Sequence, residues 1–94
     1  MKETVFRAIA DPQRRKILKL LQHGSLTAGQ IAAHFEISKA SLSYHFKILK
    51  EADLVRCERR AQEQLYALNT SVLEDILTVI AELLAVPLPH RHTT

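Results

Sequence analysis

The sequence has a single cysteine, Cys57, so an internal disulfide bond is excluded. Its first residues lack the apolar core that a secretion signal requires, and we therefore expect the protein to work in the reducing cytoplasm. No apolar run approaches the roughly 20 residues that span a bilayer. Even residues 72–86 are interrupted by Glu74, Asp75 and Glu82, so no membrane association is expected.

Glycine is also scarce, and Gly24 and Gly29 cannot supply a glycine-rich loop for phosphates. No serine or cysteine is paired with a histidine in a recognisable catalytic motif, and no acidic pair occupies an evident cleft. A zinc site wants about four converging donors. Cys57 is alone on a predicted strand, and His90 and His92 lie in a tail whose flexibility would penalise binding. We predict no enzyme activity, no cofactor and no metal site.

What the chain does have is enough apolar content for one small domain. Its 94 residues are 47% hydrophobic, so we expect a domain over residues 1–86 and a flexible tail over residues 87–94. The net charge of +3 suits a polyanionic partner, but this mild balance alone decides little.

Residues 27–51 have the pattern of two short amphipathic helices joined by a tight turn at residues 34–37. Thr27 and Gln30 have capping-box spacing, and Ser38 can cap the second helix. Leu42 and Phe46 share one helical stripe with Leu49, which indicates a buried side. Opposite this stripe the second helix presents Lys39, Ala40, Ser43, Tyr44, Lys47 and Lys50. This arrangement predicts a helix-turn-helix that reads DNA.

Two helices precede this unit and a hairpin and a helix follow it. Asp11 and Pro12 end the first helix and begin the second, which runs to about Gln22, where Gly24 closes it in a left-handed cap. Residues 54–58 and 64–68 are predicted strands with a tip at residues 59–63, and Thr70 or Ser71 caps a last helix to residue 86. The fold class is mainly α with a small β-hairpin: a winged helix-turn-helix with four helices, two strands and a fifth helix.

At this point the chain resembles the arsenic-repressor (ArsR-type) family of bacterial dimeric transcription repressors. The matching segments are residues 6–16 (FRAIADPQRRK), 26–32, 37–49 and 54–55. Three departures concern the site. The wing tip has no glycine, and the cysteine pair that metal-sensing members carry in the helix spanning residues 28–33 is absent, as is the His and carboxylate set that zinc sensors carry in the last helix. The resemblance therefore implies a repressor that does not respond to metal.

The expected DNA contacts fall into two groups. Base edges in the major groove would be read by Lys39, Ala40, Ser43, Tyr44 and Lys47. The DNA backbone or the flanking groove would be contacted by Arg14, Arg15, Ser38, Lys50, Arg59 and Arg60. For Arg14 and Arg15 a structural role is an equal alternative, in which at least one is held by an acidic partner such as Asp11, Glu51 or Asp53.

The last helix is apolar around more of its circumference than a small core can cover, which predicts a two-fold dimer. Its interface is predicted to comprise Val5, Phe6, Ile9, Val72, Ile76, Leu77, Ile80, Leu83 and Leu84. The two recognition helices would then address half-sites of a palindromic operator about one DNA turn, roughly 34 Å, apart. Double-stranded DNA and a second copy of the chain are the expected partners. Two alternatives stay open: a repressor released by an unidentified metal or small-molecule effector, and a winged-helix module that binds an acidic protein through Tyr44 and Lys47.

Overall fold

The computed structural model describes residues 3–85 and Pro87. Its elements are α1 (Glu3–Ile9), α2 (Pro12–Leu20), a 3-10 turn (Leu21–His23), β1 (Leu26–Thr27), α3 (Ala28–Ala32), α4 (Lys39–Glu51), β2 (Val55–Arg60), β3 (Glu63–Leu68) and α5 (Thr70–Leu84). The predicted fold class, mainly helical with a small antiparallel hairpin, is confirmed. Apart from Pro87, the predicted tail at residues 87–94 lies outside the described residues.

The two helices before the helix-turn-helix begin and end close to the predicted residues. Asp11 has extended backbone, and its carboxylate accepts hydrogen bonds from the amides of Gln13 at 2.7 Å and Arg14 at 3.2 Å. Pro12 occupies the first helical position, where its missing N–H is not needed. Gly24 has a φ of 134° and follows the 3-10 turn. This positive φ favours glycine, but with a ψ of 176° Gly24 lies outside the left-handed helical region, so the predicted left-handed cap is not formed.

Both predicted helix caps of the helix-turn-helix are confirmed. Thr27 Oγ1 accepts from the amide of Gln30 at 3.1 Å, and the amide of Thr27 donates to Gln30 Oε1 at 2.9 Å. Ser38 Oγ accepts from the amide of Ser41 at 3.0 Å. These caps satisfy amides that the first helical turn leaves without partners, and they fix where α3 and α4 begin.

The sheet has three antiparallel strands in the order β1-β3-β2. The hairpin β2–β3 was predicted, whereas β1 was not, because a strand of two residues is too short to show an alternating pattern. Leu26 pairs with Tyr66 and Thr27 with Leu65, so the residue that caps α3 is also attached to the wing. The hairpin is therefore anchored to the helix-turn-helix along its β3 edge, and β2 is the outer strand of the sheet.

The wing tip is shorter than predicted. Arg59 and Arg60 belong to β2, where they pair with Gln64 and Glu63, so only Ala61 and Gln62 remain for the turn. Ala61 adopts a φ of 54°. This left-handed conformation is what a two-residue hairpin demands, and it explains why glycine is favoured at such positions.

The end of α4 forms a Schellman motif in which Asp53 takes the left-handed position with a φ of 59°. The amide of Leu54 donates to Leu49 O at 3.1 Å, and the amide of Asp53 donates to Lys50 O at 3.0 Å. Asn69 Nδ2 donates to Asp53 O at 2.8 Å. Asn69, rather than the predicted Thr70 or Ser71, is the residue before α5, and its side chain makes no capping bond because it holds this turn instead.

One hydrophobic core joins all five helices to the sheet. Its buried members include Ile17, Leu21, Ile31, Leu42, Phe46, Leu49, Leu54, Tyr66 and Ile76. Leu49 and Leu54 are fully buried on either side of the Schellman turn, so the end of the recognition helix α4 is fixed by packing as well as by hydrogen bonds.

Candidate nucleic-acid interface

The two sides of α4 differ in exposure as its helical spacing predicts. Leu42 and Phe46 are each 6% exposed and Leu49 is fully buried, and all three pack into the core. The five residues predicted to read bases are all exposed: Lys39, Ala40, Ser43, Tyr44 and Lys47. They therefore form one outward polar ridge on a helix whose other side cannot rotate out of the core.

The lysines of this ridge, and Lys50 on the same helix, carry charges that no ion pair compensates among the described residues. Within the described part of the chain, the ammonium groups of Lys39, Lys47 and Lys50 have neither a hydrogen-bond partner nor an ion pair. The single ion pair among these residues joins Arg60 Nε to Glu58 Oε2 at 3.3 Å on the wing. A polyanion can therefore approach α4 without first breaking a protein ion pair.

A groove separates α4 from the wing and continues the ridge on that side. It encloses a cavity of about 330 Å³ whose lining includes Lys39, Ser43 and Lys50 of α4 together with Gln64 and Tyr66 of β3. Tyr66 Oη donates to Gln64 Oε1 at 3.0 Å. Burial, followed by the neighbouring Cys57 thiol, raises the pKa of Tyr66, so its hydroxyl stays protonated at neutral pH. Cys57 itself is exposed.

The two arginines of the wing lie on opposite faces of β2. Successive strand side chains alternate between faces, so Arg59 shares its face with Gln64 and the groove, and Arg60 lies on the other face with Glu58. Arg60 is compensated by its ion pair, whereas Arg59 has no ion pair within the described residues. Of the two predicted wing contacts, Arg59 has the better position for DNA.

For Arg14, the two predicted alternatives were a phosphate contact and a structural role. Arg14 is only 7% exposed. Its Nε donates to Ala8 O at 2.8 Å, its Nη2 donates to Arg7 O at 3.0 Å, and its Nη1 lies 3.1 Å from His45 Nδ1. These contacts assign Arg14 the structural role, because a buried guanidinium with three partners is not free to reach a phosphate.

The partners of these arginines correct the predicted acidic contacts. Arg14 bonds carbonyls at the end of α1, and exposed Arg15 donates from Nη1 to Ile9 O at 2.8 Å in the same region. The unpaired carbonyls that end a helix carry the negative end of its dipole, so they hold the two cations in place of a carboxylate. Arg14 and Arg15 therefore join α2 to the end of α1, and Arg14 also joins both helices to α4 through His45.

The turn of the helix-turn-helix is held from α2. Lys16 Nζ donates to His34 O at 2.7 Å and lies 4.6 Å from the ring centroid of Phe35. Ser38, a predicted backbone contact, uses its hydroxyl within the protein, since its Oγ also donates to Ser41 Oγ at 3.0 Å. The turn is thus held by α2, and Ser38 defines where α4 begins after it.

Arg7 contacts the ridge, although the sequence did not predict it as a site residue. Its Nη2 donates to Tyr44 Oη at 3.1 Å, and both side chains are exposed. Arg7 lies 37 residues before Tyr44, and no periodic pattern connects residues on different helices. Only the resemblance of residues 6–16 to a known motif drew attention to this segment, without giving Arg7 a role.

A second exposed surface is apolar and lies on α1 and α5. Of the nine residues predicted for a dimer interface, Val5 and Ile76 are 5% and 4% exposed and belong to the core of the protomer, so they are not available to a partner. Ile9 and Val72 are partly buried against that core. The large apolar side chains left exposed are Phe6 (39%), Leu77 (50%), Ile80 (40%), Leu83 (81%) and Leu84 (67%).

Across residues 3–85 and 87, no three His, Cys, Asp or Glu side chains are grouped so that they could hold a metal ion. His90 and His92 lie outside these residues. None of the described helices combines the length and the apolar content needed to cross a membrane.

Comparison with known proteins agrees with this geometry. The model of the arsR family of bacterial regulatory proteins matches residues 11–56, from the cap of α2 to the start of the wing. The transcriptional repressor SdpR of Bacillus subtilis is 56% identical over 71 residues, which cover 76% of this chain and 79% of that protein. The arsenical resistance operon repressor of Staphylococcus aureus is 35% identical over 74 residues, covering 79% and 71%.

A solved structure of an ArsR family transcriptional regulator superimposes with a TM-score of 0.82, covering 87% of this chain and 90% of that one. At 24% identity this likeness shows the fold alone. The sequence relatives show the family. The chain therefore belongs to the arsR family of bacterial regulatory proteins, and it is a DNA-binding transcriptional repressor with a winged helix-turn-helix fold.

Proposed function

We propose that the protein is a sequence-specific repressor that binds a palindromic operator as a two-fold dimer. The observation that carries this proposal is the exposed polar ridge of α4, with its unpaired lysines, on a helix locked into the core by Leu42, Phe46 and Leu49. A ridge fixed in this way enters the major groove as a rigid unit, so its hydrogen-bonding groups meet defined base edges.

Base reading is assigned to the exposed ridge residues, and affinity without sequence information to the flanking cations. Ser43, Tyr44 and the lysines offer hydrogen bonds to base edges, and Ala40 offers an apolar contact for a thymine methyl. Lys50 and Arg59 are placed to contact phosphates, and Ser38 presents the start of α4 to the backbone. Arg15, predicted for the same role, lies instead in the groove that contains Lys19 and Leu73. Arg14 is excluded from this group by its burial.

The apolar surface of α1 and α5 supports the dimer. Leu77, Ile80 and Leu84 are spaced at three and four residues, so they form one stripe along α5. Leu83 follows Ile76 by two helical turns on nearly the same side, yet Leu83 is 81% exposed and Ile76 is 4% exposed. The last turns of α5 thus extend beyond the protomer's own core, and a second copy would cover them.

The same proposal holds that repression does not depend on a bound metal ion, and that the protein acts in the cytoplasm with its DNA. The lack of a grouped donor set in residues 3–85 and 87 supports the first part. Adding zinc or a chelator is expected to leave DNA binding unchanged in a gel shift. A shift that responds to either would establish metal sensing instead.

The test begins with selection of binding sites from a randomised duplex pool by the purified protein. The enriched site is expected to be a palindrome, and fluorescence anisotropy should then show tight binding to that duplex and weak binding to a shuffled one. Lys47→Ala is expected to weaken operator binding by about 10-fold, because one base contact contributes about 1–3 kcal/mol.

The matched control is Lys19→Ala. Lys19 is an exposed lysine on α2 that lies beside Leu73 of α5, away from the ridge. Its removal should leave operator affinity nearly unchanged. Failure to enrich any site, equal binding to the selected and shuffled duplexes, or equal effects of the two lysine variants would reject the sequence-specific repressor.

A further inference from the structure

The contact between Arg7 of α1 and Tyr44 of α4 connects the first helix to the ridge. Arg7 Nη2 lies 3.1 Å from Tyr44 Oη, and Tyr44 is 49% exposed. A guanidinium has only donors, so the tyrosine oxygen must accept in this bond. The phenolic hydrogen of Tyr44 is therefore left to be donated elsewhere, on the exposed side of α4.

Arg7 is held at this position by the backbone. Arg14 Nη2 donates to the carbonyl of Arg7, and the same guanidinium reaches His45, the neighbour of Tyr44 on α4. His45 thus meets the end of α1 through the buried Arg14, and its neighbour Tyr44 meets α1 directly through Arg7. The backbone of Arg7 is therefore held beside α4, with its side chain within reach of Tyr44.

No carboxylate in residues 3–85 forms an ion pair with Arg7. The described residues contain one ion pair, and it lies on the wing. The groove lined by Lys39, Ser43 and Lys50 lies between α4 and the wing, whereas Arg7 approaches α4 from α1, across Tyr44. On the side that the wing does not cover, the ridge therefore has in Arg7 a cation without an ion pair among the described residues.

We propose that Arg7 is a positioning residue for DNA recognition. It holds Tyr44 as a hydrogen-bond donor to an acceptor edge in the major groove, and its remaining N–H groups contact a backbone phosphate beside the half-site. The acceptors that such a donor meets are N7 of either purine, O6 of guanine and O4 of thymine. This inference rests on the proposed function, since it assigns a further residue to the same interface.

Two single variants separate the roles of charge and donor. Tyr44→Phe keeps the ring and removes the hydroxyl, so it should weaken operator binding by about 2- to 10-fold without changing the salt dependence. Arg7→Ala removes one phosphate contact, so the slope of log K against log salt should become shallower by about 1. Arg7→Lys keeps the charge and should retain the slope of the unaltered protein.

The double variant tests whether Arg7 acts through Tyr44. In the Tyr44→Phe background, Arg7→Ala should still flatten the salt dependence, but it should no longer reduce the preference for the operator over shuffled DNA. Such a coupling is not produced by a merely structural effect, which would lower affinity for both duplexes equally. Circular dichroism melting of each variant checks that the exposed substitutions leave the fold intact.

Lys19→Ala serves again as the control for loss of one surface charge. If the unaltered protein selects an operator but Arg7→Ala matches Lys19→Ala in affinity and in salt slope, this inference is overturned while the proposed function stands. Additive effects of Arg7→Ala and Tyr44→Phe on operator preference would also overturn the positioning role. If no operator is selected, the proposed function itself has failed.

Discussion

Phe46 of α4 stacks on Tyr66 of β3, with ring centroids 4.4 Å apart and ring planes inclined by 14°. Phe46 is 6% exposed and Tyr66 is 2% exposed, so this pair joins the recognition helix to the wing inside the core. Tyr66 also pairs with Leu26 of β1 and Cys57 of β2. Together with the pairing of β1 and β3, this stack sets the position of the wing relative to the ridge.

Phe46→Ala should lower the free energy of unfolding by about 3–5 kcal/mol, because it removes a buried ring and leaves a cavity between α4 and β3. Urea unfolding followed by circular dichroism measures this change. Tyr44→Ala is the matched control, since it removes an aromatic ring from the exposed side of the same helix and should change stability by about 0.5 kcal/mol. Equal losses for the two variants would show that the stack does not support the fold.

Arg14→Ala should destabilise the protein by about 2–4 kcal/mol, because the carbonyls of Arg7 and Ala8 lose their buried donor and His45 loses its partner. Arg15→Ala, the neighbouring substitution, removes one exposed hydrogen bond to Ile9 and should cost about 0.5 kcal/mol. Chemical denaturation of both variants tests the difference. An Arg14 variant as stable as the Arg15 variant would contradict the clamp between α1, α2 and α4.

Contacts between different helices, such as those of Arg14, could not be predicted from the sequence, whereas local features of single helices could. Helix periodicity identified the ridge and the core side of α4, and cap spacing identified the start of three helices, because these signals are local. The clamp made by Arg14 and the contact between Arg7 and Tyr44 join different helices. Their partners are backbone carbonyls and a distant hydroxyl, and neither leaves a pattern in the sequence.

The same limit applies to the apolar residues and to the sheet. Val5 and Ile76 look like Phe6 and Leu77 in the helical pattern, but the first pair is buried in the protomer and the second is exposed. Periodicity tells which side of a helix is apolar, not which other helix covers it. Strand β1 escaped prediction because its two residues become a strand only by pairing with β3.

The cap of α2 predicts a pH dependence of stability. Partial burial opposes ionisation of Asp11, but hydrogen bonds from the amides of Arg14 and Gln13, with the charges of His45 and Arg14, hold the pKa of its carboxyl below the usual 3.8. A depressed folded-state pKa stabilises the protein above the unfolded-state pKa, and this stabilisation is lost as pH falls through the folded value.

Asp11→Asn keeps a capping oxygen and removes the charge. It should be less stable than the unaltered protein at pH 7, and the difference should vanish on acidification to well below 3.8, as urea unfolding at several pH values would show. Asp11→Ala lacks the cap and should be less stable than the Asn variant throughout. A difference that is constant down to the acid limit would disprove the role of the ionised carboxylate.

Ala61→Gly at the wing tip should stabilise the protein by about 0.5–1 kcal/mol, because glycine adopts a φ of 54° without the steric penalty that alanine meets. The same substitution at Ala40, an exposed helical position of α4, should instead destabilise by about 1 kcal/mol. Thermal melting of both variants compares the two backbone conformations. Loss of stability at Ala61 would mean that the tip relaxes out of the left-handed region.

Leu77→Asp tests the proposed dimer at the first residue of the exposed stripe on α5. Leu77 is 50% exposed in the protomer, so a charge there is tolerated by an isolated chain but not by an apolar interface between two chains. Light scattering coupled to size exclusion should give twice the chain mass of 10.7 kDa for the unaltered protein and the single mass for the variant.

The melting temperature of the unaltered protein should also rise with concentration, because dimer formation stabilises the folded state. Gln62→Asp adds the same charge at the exposed wing tip and should remain dimeric. A single chain mass for the unaltered protein at micromolar concentration would leave the exposed apolar side chains of α5 without a partner and would rule out the two-fold complex on a palindrome.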